Sequence, residues 1–200
     1  MTLKERLLKQ YGVNRPIFID EIRFEEIPYN SIRKEFSRMV NGGEIKRYMR
    51  GVYYFPARNA TLTPFQIAAK RYLRRDSKPY GFYSGANLQN MLGLSTQVPF
   101  TTEITTNAVK RSRRVTVGVF RFLLLPPRVR VTNRNLSALQ FLNVVERTAL
   151  ASFRAEDIGI LSSFIKQKRI KKSVVLGIID SYPKETLTKL QKTGLIDELT

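Results

Sequence analysis

Between Pro28 and Pro56 the chain carries its most restrictive local pattern. Pro28 opens a helical stretch in which Ile32, Phe36, Met39 and Val40 recur at i, i+4, i+7 and i+8, the spacing of a single apolar face. Asn41, Gly42 and Gly43 end it, because these residues tolerate the left-handed backbone that closes a helix. Glu44 to Met49 and Val52 to Phe55 then read as two strands around an Arg50-Gly51 turn, with Gly51 supplying the positive φ of a tight hairpin and Pro56 ending the second strand. A one-faced helix followed at once by a hairpin must bury both elements against something else.

That partner lies upstream. Thr2 caps a first helix, with Glu5 three residues later as in a capping box, and Leu3, Leu7 and Leu8 form its apolar stripe. Ile17, Phe18 and Ile19 follow Pro16 as a short strand, and Asp20 is placed to cap a short second helix. Helix, strand, two helices and a hairpin is the order of a winged helix, in which one helix enters the major groove and the wing grips the flanking backbone. The faces left free by the stripe carry Asn30, Ser31, Arg33, Lys34, Ser37, Arg38 and Asn41, a mix of amide, hydroxyl and guanidinium groups suited to base edges and phosphates. Lys46, Arg47 and Arg50 ride on the wing. The competing reading is a small α+β domain with an ordinary solvated basic face. Tyr53, Tyr54 and Phe55 offer rings for base stacking, but alternation along a strand sends at least one face to the core, which is the expected place for them.

Beyond a polar link, Thr63 caps and Pro64 starts a helix expected to reach about Arg75, and Ser84 to Leu92 forms another short one. Residues 100–106 and 114–125 are rich in Thr, Val, Ile and Phe and read as strands of a small sheet, with Lys110-Arg111-Ser112-Arg113-Arg114 in the loop between them. From Asn135 helical spacing returns in Leu136, Leu139, Leu142 and Val145, then from Ile158 to Ile165, then in two shorter helices split by Pro183. The expected fold class is α+β: an N-terminal winged helix-turn-helix over residues 1–58, then a mixed domain over 59–200 with a small sheet and C-terminal helices.

Charge narrows the function. Lys and Arg outnumber Asp and Glu by 35 to 16, a net charge of +19, and self-repulsion on that scale asks for a polyanionic partner. Nucleic acid is the expected one. Residues 59–134 hold 13 cations against 2 anions, so the footprint should extend past the wing onto the central loop, where Lys110, Arg111, Arg113 and Arg114 would bind phosphates. A solvated basic turn is the plainer alternative for that loop. The most apolar run, Val119 to Pro127, is broken by Arg121 and closed by two prolines, and Met1 to Arg6 leads into no apolar core of signal-peptide length. No membrane partner and a cytoplasmic location are therefore expected. The chain has no Cys and no His, which excludes thiolate nucleophiles, disulfides, imidazole bases and nearly all transition-metal sites. No catalytic residue, metal ligand or cofactor is assigned, and any enzyme would have to use carboxylates with magnesium. Asp20, Glu21, Glu25 and Glu26 are read as flanking helix starts rather than as a metal cluster.

The run from Met39 through Asn41-Gly42-Gly43-Glu44 to Val52-Tyr53-Tyr54-Phe55-Pro56 resembles the winged-helix end of AbiEi-type antitoxins of bacterial type IV toxin-antitoxin systems. Tyr83-Ser84-Gly85-Ala86-Asn87-Leu88 through Leu92-Gly93-Leu94-Ser95-Thr96-Gln97-Val98-Pro99 resembles that family's post-wing region, and together the runs cover roughly residues 10 to 150. The resemblance implies a regulator that represses its own operon on double-stranded promoter DNA, while its later domain counteracts a neighbouring nucleotidyltransferase toxin directly or indirectly. By position it places the DNA-reading helix on Tyr29 to Asn41 and the wing on Glu44 to Phe55. The last 50 residues carry no motif of that family. A plain regulator without a toxin, and a module that binds RNA or a protein through the basic centre, are the alternatives.

Overall fold

A computed structural model describes residues 1–200. The chain is α+β and divides into two compact units, Met1–Lys70 and Arg71–Thr200. The break falls beyond the helix opened by Pro64, whereas the sequence reading places it after residue 58.

In the first unit, α1 (Leu3–Tyr11) begins with the expected capping box: Thr2 N donates to Glu5 Oε2 at 2.9 Å and Glu5 N donates to Thr2 Oγ1 at 3.2 Å. Leu7 is fully buried, but Leu8 is exposed, so the stripe of α1 is narrower than its leucines suggest. Strand β1 is Ile17–Phe18. The expected second helix is only one 3-10 turn, Ile19–Glu21, entered from Phe18 with no side-chain cap. Ile19 N donates to Gly51 O at 3.0 Å and Ile27 N to Phe24 O at 3.2 Å, so the segment's backbone is committed to the sheet at one end and to a turn at the other rather than to a helical ladder.

Helix α2 (Tyr29–Asn41) buries Ile32, Phe36 and Met39, then closes through Gly42 N donating to Arg38 O and the left-handed Gly43 (φ 70°). Strands β2 (Lys46–Met49) and β3 (Val52–Tyr54) turn at Gly51, whose φ of 80° is the conformation anticipated for it. The sheet runs β1-β3-β2, all antiparallel. Phe36 meets Tyr53 edge-on, ring centroids 4.9 Å apart, while Tyr54 and Phe55 are buried, so these aromatics pack the fold. Leu7, Ile17, Ile22, Ile32, Phe36 and Ile45 share one core. The order and sheet follow the expected winged helix except that its second helix is reduced to a single 3-10 turn.

Thr63 and Gln66 form a second capping box at the start of α3 (Pro64–Ala68). The helix does not reach Arg75. It widens into a π turn over Ala69–Leu73, after which β4 (Arg74–Arg75) pairs with β5 (Lys78–Pro79). Asp76 and Ser77 both take positive φ, 48° and 63°, the pair of left-handed residues a two-residue hairpin turn needs. Strand β6 is Gly81–Tyr83, and a Cβ at Gly81 would lie 2.4 Å from Tyr72 O, so only glycine fits. Next come α4 (Gly85–Met91), β7 (Thr102–Thr106), β8 (Arg113–Val117) and β9 (Phe120–Leu125). The stretch read as one strand over 114–125 is thus two, because Gly118 (φ 62°) reverses the chain. Sheet order is β6-β7-β9-β8, with β7 and β9 parallel and the other pairs antiparallel.

Helices α5 (Leu136–Arg147), α6 (Ala155–Lys168), α7 (Lys172–Leu176) and α8 (Lys184–Lys192) follow, with Pro183 standing immediately before α8. Leu139, Leu142 and Val145 of α5 pack with Phe82, Leu161 and Leu190 in the main core of this unit. No helix is long and apolar enough to cross a membrane.

Candidate nucleic-acid interface

The core stripe of α2 dictates what its outer face can hold. At about 100° per residue, Asn30, Lys34, Ser37 and Asn41 lie opposite Ile32 and Phe36, with Arg33 on one flank and Ser31 and Arg38 on the other. All seven polar side chains are exposed. Arg33 and Lys34 have no acidic partner, whereas Arg38 is bonded to Glu35 at 2.5 Å, a contact that holds its guanidinium pKa above the usual value. That pair sits in solvent, where a phosphate can compete for the arginine. The first turn of α2 has no acid and no side-chain cap, so its positive dipole end is open to an anion.

On the wing, Lys46, Arg47 and Arg50 are exposed and unpaired. The wing does not bring all three together. Lys46 stands opposite Tyr54 and Arg47 opposite Tyr53, and cross-strand partners share a face, so these neighbours project to opposite sides of the hairpin. Arg47 is on the face that Tyr53 presents to Phe36 of α2. A bulge between Arg47 and Met49 then leads into the turn that carries Arg50.

The central basic stretch is not a single loop. Lys110 and Arg111 lie in the β7–β8 connection, but Arg113 and Arg114 belong to β8, paired opposite Leu124 and Leu123. Being consecutive on a strand, they point to opposite faces of the sheet. β8 is an edge strand, and an exposed charge on each face protects such an edge from pairing with another chain.

The sheet assembles something larger from separate segments. Because β7 and β9 are parallel while β6 and β8 run against them, the start of β6, the end of β7, the start of β8 and the end of β9 all lie at one end. The β4–β5 hairpin is fastened there: Tyr80 N donates to Leu73 O at 2.8 Å, Asn107 N to Tyr80 O at 2.9 Å and Thr106 Oγ1 to Tyr72 O at 2.8 Å. The stretch after β9 is fastened there too, since Asn107 Nδ2 donates to Val131 O and Val131 N to Asn107 Oδ1, both at 2.9 Å. This end of the sheet therefore gathers Arg74 and Lys78, then Lys110, Arg111 and Arg113, then Arg130 and Arg134. All are exposed, and none is in an ion pair. Arg128, at the same end, is held by Glu146 instead.

Arg74, Lys78, Arg130 and Arg134 were not singled out by the sequence reading. The signal that could have found them is the excess of 13 cations over 2 anions in residues 59–134, which one loop of four cannot absorb. In contrast, the exposed aromatics Phe100 and Phe120 lie towards the opposite end of the sheet, so the cationic end offers charge without an exposed ring to stack on.

Comparison with curated proteins gives no match. Residues 8–172 match the family described as a family of unknown function, DUF6088, a span that includes α2, the wing and the cationic sheet end. The chain belongs to the DUF6088 family.

Proposed function

We propose that this protein is a non-catalytic, DNA-binding transcriptional regulator acting in the cytoplasm, with α2 in the major groove of duplex DNA and the wing on the adjacent backbone. The observation that carries this reading is the outer face of α2: amides, hydroxyls and unpaired cations on one rigid helix, backed by a continuous core stripe in a winged-helix frame. The unpaired cations at the sheet end of the second unit add phosphate contacts, which fix affinity without reading sequence. Autorepression, and an antitoxin role against a nucleotidyltransferase, extend the proposal on the strength of the AbiEi-like runs around Asn41 to Pro56 and Tyr83 to Pro99. A gel-shift titration with the DNA upstream of the protein's own gene tests it. Binding should be at least ~10³-fold tighter than to a scrambled duplex at physiological salt, and equal affinity for the two would defeat the regulator reading.

A second reading has its own observation. The sheet end presents cations alone, which suits RNA or an acidic protein equally well, and preferential retention of RNA over duplex DNA would move the function to that unit.

A further inference from the structure

The second unit contains a cavity of about 380 Å³ between the sheet and α5, a volume in the range of small-molecule sites. One wall is apolar, formed by Phe82, Leu125 and Leu139. Several polar groups on the other walls keep unused hydrogen-bonding capacity. Thr105 is 7% exposed and its hydroxyl has no hydrogen-bond partner; Tyr182 is 8% exposed and its hydroxyl has none either. Asn143 accepts from Gly85 N at 3.0 Å through Oδ1, which leaves its amide N–H groups unused. Arg147 meets Glu103 at 2.9 Å through one nitrogen, and its remaining guanidinium N–H groups are free.

These groups line one space with hydrogen-bonding capacity to spare, and none of them is cut off from solvent, so they are the contacts that a ligand entering the space would meet. The type of group says what that ligand is. Asn143 and Arg147 can only donate here, both hydroxyls can donate, and burial pushes the Tyr182 phenol well above its usual pKa so that it keeps its proton. The one carboxylate on the wall, Glu146, is bridged by Arg128, whose Nε and Nη2 donate to its two oxygens and offset its charge. Arg128 is itself held in place over the Tyr182 ring, 5.3 Å from its centroid, and donates to Ser181 O at 3.3 Å. A donor-rich rim over an apolar wall fits an acceptor-rich head on an apolar body.

We propose that this cavity binds a small organic oxyanion, a carboxylate or phosphate monoester carried on a compact apolar or planar body. The head accepts from Arg147, Asn143, Thr105 and Tyr182, and the body lies against Phe82, Leu125 and Leu139. This site does not depend on the DNA-binding reading, because none of the unpaired sheet-end cations lines it; Arg128, which does, is paired with Glu146. Water is the rival occupant, since the space would hold about a dozen molecules at ~30 Å³ each.

The test is isothermal titration of the full chain with phenyl phosphate and with benzoate, using benzamide as the uncharged counterpart and inorganic phosphate as the head alone. Thr105→Val and Tyr182→Phe each remove one hydroxyl and keep the shape, so the fold is preserved. Saturable one-to-one binding of phenyl phosphate or benzoate, absent for benzamide and about tenfold weaker in each variant, is expected; which of the two binds more tightly identifies the head group. Amide shifts of residues 105, 143 and 182 on titration report occupancy independently of the variants. Two results would overturn the proposal: no saturable binding of either organic anion, or binding that both variants retain in full and that only neutralising Arg74, Lys78, Lys110 and Arg111 removes.

Discussion

The face of α2 and the cationic end of the second unit's sheet are both positive, and they differ in every other respect. On α2, two cations and an arginine shared with Glu35 sit among Asn30, Ser31, Ser37 and Asn41 on one rigid helix, whose side chains keep fixed spacings along a groove. At the sheet end the cations come alone, from a hairpin, a loop and a strand-to-helix connection. Base edges present donors and acceptors at set positions, so discrimination needs the first arrangement; phosphates repeat regardless of sequence, so the second suffices for affinity. Overall charge is a poor guide to which is which. Residues 71–200 hold 22 cations and 9 anions against 13 and 7 in residues 1–70, yet the face that mixes amides, hydroxyls and cations, the one we propose reads DNA, is in the less charged unit.

The largest effect should come from removing the sheet-end charges. Changing Arg74, Lys78, Lys110 and Arg111 to Gln should lower the slope of log K against log salt by about 3 to 4, at about 0.9 per lost phosphate contact, with sequence preference kept. Salt titrations on one duplex measure this, and an unchanged slope would remove the sheet end from the interface. A smaller effect is expected on α2. Arg33→Ala or Lys34→Ala should cost on the order of 1 to 3 kcal/mol on the preferred site and relax discrimination at one base pair, as read by competition against single-base variants of that site. Smallest is the wing: Arg50→Ala should weaken all sequences alike by one contact, a slope change of about 0.9. If Arg50→Ala changed base preference while Lys34→Ala did not, the reading and gripping roles within the first unit would be reversed.

How much of this was legible along the chain depended on the range of the interaction. The stripe Ile32, Phe36 and Met39, the capping boxes at Thr2 and Thr63 and the positive φ at Gly51 are local, and each follows from residues within one or two turns. The exposure of Asn30, Lys34 and Ser37 follows by subtraction from that stripe. Other features turn on single local signals that helix or strand propensity outweighed: Asp76-Ser77 forms a hairpin turn whose first strand takes the last residues expected to be helical, and Gly118 divides one expected strand into a pair. The sheet end was not legible at all from local pattern. It exists because β7 and β9 pair in parallel, with Thr105 opposite Leu125, and because Asn107 ties the far side of β9 back to the β4–β5 hairpin. Parallel pairing joins segments that hairpin reasoning keeps apart.

A division of labour between the two units is decided by the ratio of affinities for the upstream DNA and a scrambled duplex. That ratio should be measured at one salt concentration for the unaltered chain, for Lys34→Ala and for the fourfold Gln variant of the sheet end. The ratio should be nearly unchanged in the fourfold variant, despite its weaker binding to both duplexes, and lowered roughly tenfold or more in Lys34→Ala. A ratio that collapses in the fourfold variant and survives in Lys34→Ala would contradict that division, because the second unit would then be the one that reads sequence.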